Sequence, residues 1–232
     1  MVAQPMKSSV AFFKVIEKYA NQNTIIFWMD NCSSQNKNWN LFQHVILLIN
    51  SNEIQTERIL FKYFESGHTF MAADSFHAAI ESKMRHERVV TFENFKAAVG
   101  NAKTNVNVID MQPADFFQAN LTVSQYTINQ CKPRPYVDTM RKIVFEKGRY
   151  ELGFTDNINS EEIKYCKLFS KKQLKLVKNE TFEIKSNVHW QNAPRGIEEE
   201  RKTSLLKVVL PIVTEEEKFF FVDIPTKQQS TD

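Results

Sequence analysis

Two short apolar runs, TIIFWMD (24–30) and ILFKYFE (59–65), stand on either side of a segment with helical periodicity. Runs of this length, rich in β-branched and aromatic side chains, read as buried strands. Between them, from about Ser34 to Ile49, the residues Leu41, Phe42, Val45, Ile46, Leu48 and Ile49 give a helix a broad apolar face. A helix over 7–21 precedes the first run, with Phe12, Ile16 and Ala20 on one side and Asn21 and Asn23 closing it; ADSFHAAIESKMR, from about residue 73, is a further helix after Gly67 breaks the second run. Two strands joined through a helix pair in parallel and are covered by helices on both faces. In such sheets function gathers where strands end and helices begin. Asp30 stands at one such end.

Downstream of residue 90, TFENFKAAVGNAK reads as helix, NVNVIDM as strand and PADFFQAN as a short helix opened by Pro113 and Asp115. KIVFEKGRYELGF (142–154) reads as a hairpin turning at Lys147-Gly148. Glu198 to Leu210 forms an amphipathic helix stopped by Pro211, and an aromatic run, Phe219, Phe220 and Phe221, follows. The expected class is α/β, with an N-terminal core over 1–104 and a C-terminal α+β extension over 105–232. The 232 residues hold 19 Phe against 5 Gly, so large rings dominate the core. Three separated cysteines, Cys32, Cys131 and Cys166, make no disulfide framework and point to the nucleus or cytosol. No apolar run approaches the ~18 residues of a membrane span, and the start lacks the apolar stretch of a secretory signal. The net charge of +3 permits an acidic partner without requiring one.

A carboxylate at the end of a buried strand needs a pair, a hydrogen bond or a cation. Asp30 is followed by Asn31, Ser33, Ser34, Gln35, Asn36 and Asn38, a polar lip in which Ser33 or Ser34 can also cap the next helix. The helix from residue 73 carries Asp74, His77 and Glu81 at spacings that place them on one face. If that face meets Asp30, three carboxylates converge, a donor set suited to Mg²⁺ or Mn²⁺. Two such ions about 4 Å apart promote phosphodiester cleavage. The plainer alternative is a solvated face with Asp74 as helix cap.

DNCSSQNKNW followed by FESGHTFMAADSFHAAIE resembles an uncharacterised invertebrate family of transposon origin, with the signature D-N-C-x-G-Q-N-K-N and then G-H-[ST]-F/H-x-x-x-D-x-x-H-x-x-I-E. PRGIEEERKTSLLKVVLPIV is similar to that family's closing P-R-x-I segment. The resemblance implies the ribonuclease-H-like fold of DDE transposases, with acids on the first strand, at the end of the fourth and on a later helix. Asp30 would then be the second acid and Asp74 or Glu81 the third, and helix 7–21 the first crossover. Such a fold begins with three antiparallel strands bearing the first acid. This chain enters at the crossover helix, so a truncated core lacking the first strands is expected, either as a piece of a longer protein or with that acid lost. Ser34 also replaces the family's glycine before Gln35.

KYCKLFSKKQLKLVK (164–178) carries six lysines and no acid. Lys164, Lys167, Lys171, Lys175 and Lys178 recur at helical spacing with Tyr165 and Phe169 between them, and Lys172 adds to the charge. Such a stripe neutralises phosphates while rings stack on bases, unless it is simply a solvated face. His68 faces a metal or a phosphate, or a turn backbone. The expected function is a transposase-derived, nuclease-related protein acting on nucleic acid, DNA first. Asp30, Asp74 and Glu81 would be metal ligands with His77 beside them, and Asn31, Gln35, Asn36, Lys37 and His68 would hold the substrate strand. A domesticated, non-catalytic factor binding nucleic acid or a protein is the alternative.

Overall fold

The computed structural model describes residues 7–31, 36–64, 72–112, 115, 117–119, 123, 125–179, 188–190 and 196–227. In chain order the elements are α1 (Lys7–Lys18), β1 (Thr24–Met29), α2 (Trp39–Ile49), β2 (Arg58–Tyr63), α3 (Ala72–His86), α4 (Phe92–Gly100), β3 (Phe117–Ala119) and α5 (Gln125–Asn129). A 3₁₀ turn at Val137–Thr139 leads to β4 (Lys142–Glu146), β5 (Glu151–Thr155), β6 (Lys164–Lys167), α6 (Lys171–Val177), β7 (Val188–Trp190), α7 (Glu199–Val209) and α8 (Glu215–Val222). They form two compact units, each assembled from two stretches of chain: Met1–Thr69 with Asp115–Trp190, and Phe70–Ala114 with Gln191–Asp232.

The first unit is built on a mixed five-stranded sheet, ordered β1-β2-β4-β5-β6. β1 and β2 run parallel, as the helix between the two apolar runs requires, with Phe27 opposite Phe61. β4, β5 and β6 form an antiparallel meander joined to β2. Gly148, at φ +82, makes the β4–β5 turn where the sequence places it. One face of the sheet is the core. Phe61 lies at its centre, its ring centroid 5.0 Å from Phe145 and 5.4 Å from both Phe12 of α1 and Phe27. α2 is buried along its length from Leu41 to Ile49, Gln43 and His44 included, as befits a helix apolar on most sides. Full burial of one such ring contributes about 3 kcal/mol.

Several expectations fail for identifiable reasons. β1 is an edge strand, and only alternate side chains are covered: Ile26 and Trp28 each keep 47% of their surface. α2 starts at Trp39, because Asn38 caps it by accepting from the Leu41 N–H at 2.9 Å. Residues 105–111 form no strand, and Phe117–Ala119, expected to be helical, pairs with β7 instead. The lysine-rich stretch is not one helix. Its first part pairs with β5, and Ser170 then opens α6 with a capping box to Gln173. The division at residue 105 does not separate the units either, since β2 and β4 pair across it.

The second unit contains α3, α4, α7 and α8. α4 begins with a capping box between Thr91 and Asn94, and α8 with one between Thr214 and Glu217. Arg88 ties the chain before α4 to α8 through Glu217, at 2.8 Å. Hydrogen bonding to Arg88 holds the Glu217 carboxyl far down, at about 2.

Candidate functional site

β1 ends at Met29, and Asp30 emerges at the C-terminal end of the parallel pair as an exposed carboxylate. Asn36 donates its side-chain amide to Asp30 Oδ1 at 2.6 Å. Asn31 is used inward: its Nδ2 donates to the Phe64 carbonyl at 2.5 Å, and its Oδ1 accepts from Lys37 Nζ at 2.9 Å and from Arg141 at 3.3 Å. Lys37 Nζ donates in addition to the Asp138 carbonyl at 3.1 Å and lies 4.9 Å from the centroid of the Tyr63 ring. The Tyr63 hydroxyl closes the ring of contacts by donating to the Asn36 carbonyl at 2.8 Å. The amides after Asp30 therefore pin the strand end to the approach of β4. This corrects the expectation that Asn31 and Lys37 hold a substrate: Lys37 is 2% exposed and its donors point into the fold.

The electrostatics follow from this packing. Burial, together with the nearby Arg141 guanidinium, lowers the Lys37 ammonium from 10.5 to about 8, against a smaller opposing pull from Asp138. Burial raises the Tyr63 hydroxyl, and the negative charge of Asp30 adds to that shift. The Tyr63 side chain thus neighbours both the partly desolvated Lys37 ammonium and the negative charge of Asp30.

Asp74, His77 and Glu81 are exposed along α3, which belongs to the second unit, whereas Asp30 belongs to the first. Among the described residues no group of three or more His, Cys, Asp or Glu side chains is placed to hold a metal ion. The described part of the Asp30 site offers one carboxylate, with Asn36 as its amide neighbour, so no catalytic step through Mg²⁺ or Mn²⁺ is derived from it. Gln35 and His68 lie outside the described residues.

Lys164 and Lys167 stand on β6, and Lys171, Lys172 and Lys175 are exposed on α6. Lys164 is paired with Asp156 at 3.2 Å. Arg141 and Tyr63 carry no local sequence signal, because their contacts with the motif are made across the fold. A groove on the sheet face away from α1 and α2, about 1020 Å³ in volume, has walls that include Arg58, Arg149, Tyr150, Lys167 and Lys178, and no local pattern signals it.

The profile of a family described as a domain of unknown function (DUF7869) matches residues 9–141, more than half of the chain. The chain belongs to the DUF7869 family. The DUF7869 segment runs from α1 to Arg141, so it contains Asp30 together with every side chain that anchors its loop, and β4, β5, β6 and α6 lie beyond it. Comparison with curated proteins and with solved structures finds no significant match. Among the described residues no helix is long and apolar enough to cross a membrane.

Proposed function

We propose that this chain is a transposase-derived, ribonuclease-H-like protein that binds nucleic acid, DNA first, in the nucleus or cytosol, with its metal-dependent chemistry incomplete. The observation that carries the reading is Asp30. It is an exposed carboxylate at the end of a parallel strand, with Asn36 donating to it and with Asn31 and Lys37 engaged with each other behind it. A parallel strand pair joined through a helix and continued by an antiparallel meander supports the fold reading, although β4 runs antiparallel to β2. The chain order differs, because the antiparallel strands follow the parallel pair and the acid-bearing strand is at the edge. With that order, the acid expected on the first strand would have to come from the approach to β4, where Asp138 lies beside Lys37. Mg²⁺ or Mn²⁺ belongs to this reading only with cleavage.

The test is fluorescence anisotropy with labelled DNA and RNA, together with nicking of supercoiled DNA in Mg²⁺ or Mn²⁺, for the natural chain, Asp30→Asn and Asp138→Asn. Binding without metal-dependent nicking is expected. Absence of binding to every nucleic acid at low salt refutes the reading. Nicking that disappears in Asp30→Asn would replace it with a nuclease. A protein-binding factor is the second reading, favoured by α8, where Phe219 keeps 68% of its surface and Phe220 41%.

A further inference from the structure

We propose that the groove beside the β4–β5 turn is a binding site for single-stranded nucleic acid. This rests on the nucleic-acid reading above and places the contact at the other end of β1 from Asp30, roughly 20 Å along the strand at ~3.3 Å per residue.

The strand register builds the groove. Thr24 faces Arg58 and Arg58 faces Glu146, while Glu151 faces Lys167. Ile59 and Phe145, adjacent to Arg58 and Glu146, are buried in the core, so alternation turns the charged pair to the opposite face. Three carboxylates line the groove, Glu57, Glu146 and Glu151, and the last two are already engaged. Glu146 lies 3.8 Å from Arg58 and 3.1 Å from Arg149 and accepts from the Tyr165 hydroxyl at 3.0 Å; Glu151 lies 3.6 Å from Arg149. Among the described residues neither Lys167 nor Lys178 has a carboxylate within ion-pair distance, so their charge is available to a ligand. Lys171, Lys172 and Lys175 extend the cationic surface along α6.

Rings accompany these charges. The Arg149 guanidinium lies 4.1 Å from the centroid of Tyr165, which keeps 38% of its surface, and Lys178 Nζ lies 5.2 Å from that of Tyr150. Cations set over aromatic faces suit a ligand that alternates phosphate with planar bases. In a duplex the base faces are stacked on one another and only edges, sugars and phosphates meet the protein, so the rings have no base face to stack on. Unpaired bases reach them. The excess of unpaired lysines over unpaired acids supplies the charge complementarity.

The test measures anisotropy of a fluorescein-labelled oligo-dT against a duplex of equal length, with an acidic polyglutamate peptide as competitor. The proteins are the full chain, Lys167→Gln/Lys178→Gln, Tyr165→Ala, Asp30→Asn and, as a control from the second unit, Lys83→Gln. Circular dichroism and urea midpoints check that each variant folds. The expected result is tighter binding of oligo-dT than of duplex, a salt slope smaller by about 1.4 in the double lysine variant (~0.7 per lost phosphate contact), about tenfold weaker binding in Tyr165→Ala, and oligo-dT affinity unchanged in Lys83→Gln. Three results overturn the inference while the broader reading stands: full oligo-dT affinity in both the double lysine variant and Tyr165→Ala, preference for duplex, or an equal loss in Lys83→Gln. Polyglutamate displacing the oligonucleotide with equal affinity makes the groove an acidic-peptide site and also overturns it. If the natural chain binds no nucleic acid, the inference and the broader reading fall together.

Discussion

Lys37 gives the most direct test of the network beneath Asp30. Lys37→Met keeps the length of the side chain and removes its charge and donors, leaving Asn31 Oδ1 with Arg141 and the Asp138 carbonyl without its lysine. The folded ammonium is lowered to about 8 from 10.5. Between these values the unfolded chain binds a proton that the folded chain has released, so the stability of the natural protein rises with pH across this window. At about 1.4 kcal/mol per unit, the Lys37 contribution grows by about 2 kcal/mol from pH ~7 to pH ~9.5. The effective dielectric around charged groups in proteins exceeds that of a dry interior, which reduces the expected growth to roughly 1–2 kcal/mol. The variant lacks this term, so the stability gap, taken as natural protein minus variant, must grow in the positive direction as pH rises. Above pH ~10 the raised Tyr63 hydroxyl acts in the opposite direction, which sets the upper limit of the experiment. Urea titrations of both proteins at the two pH values, with equal m-values, provide the measurement. A gap that stays constant or moves in the negative direction would show that Lys37 is not a desolvated cation and would remove the physical basis of the anchored loop.

Burial lowers the His44 imidazole to about 4 from 6.5, so stability is lost as pH falls through that interval, by roughly 3 kcal/mol at pH ~4; His44→Leu should flatten the acid limb of a stability-against-pH curve, and an unchanged limb would exclude the assignment. Gln43 is fully buried, and among the described residues its side-chain amide has no hydrogen-bond partner. Gln43→Met is therefore expected to raise the urea midpoint by about 1 kcal/mol equivalent, and destabilisation would point to a partner for the amide. A Cβ at Gly153 would meet Ile163 Cγ2 at 2.9 Å and the Val144 side chain and carbonyl at 3.1 Å. Gly153→Ala should accordingly cost about 1–3 kcal/mol by overpacking, read as a fall in melting temperature, and a neutral result would refute the close packing of β4 on β5.

Local pattern made the parallel pair legible, because TIIFWM and RILFKY are too short and too branched to be helices and the segment between them is long enough for a crossover. The Lys147-Gly148 turn was legible for an equally local reason, a position that needs positive φ. The edge position of β1 was not, since an apolar run reads alike whether one or two strands flank it and the neighbour that joins β2 is β4, far downstream. In the stretch 164–178 lysines fit helical spacing by coincidence, and pairing of Leu152 with Cys166 overrides that spacing. Asp30 was found because its place at a strand end is local information. The burial of Lys37 was hidden, because the groups that receive and crowd it, Asp138 and Arg141, lie more than a hundred residues further along the chain than the motif.

The two ends of β1 differ in what they ask of a polyanion. At Asp30 a phosphate approaches a carboxylate, and like charges about 4 Å apart repel by ~1 kcal/mol even in water and by more beside a protein. Lys37 offers little relief, since its ammonium faces Asn31 and the Asp138 carbonyl. Phosphate contact at that end therefore needs a cation between the two anions, whereas the groove, with Lys167 and Lys178 unpaired, needs none. The dependence on Mg²⁺ separates the two. In the groove Mg²⁺ competes with lysine for phosphate and weakens binding equally in the natural chain and in Asp30→Asn. If the Asp30 end also meets the strand, Mg²⁺ must weaken binding less in the natural chain than in the variant. Anisotropy titrations of oligo-dT with Mg²⁺ at constant ionic strength measure the difference, and superimposable curves would confine the bound strand to the groove and leave Asp30 with no part in recognition.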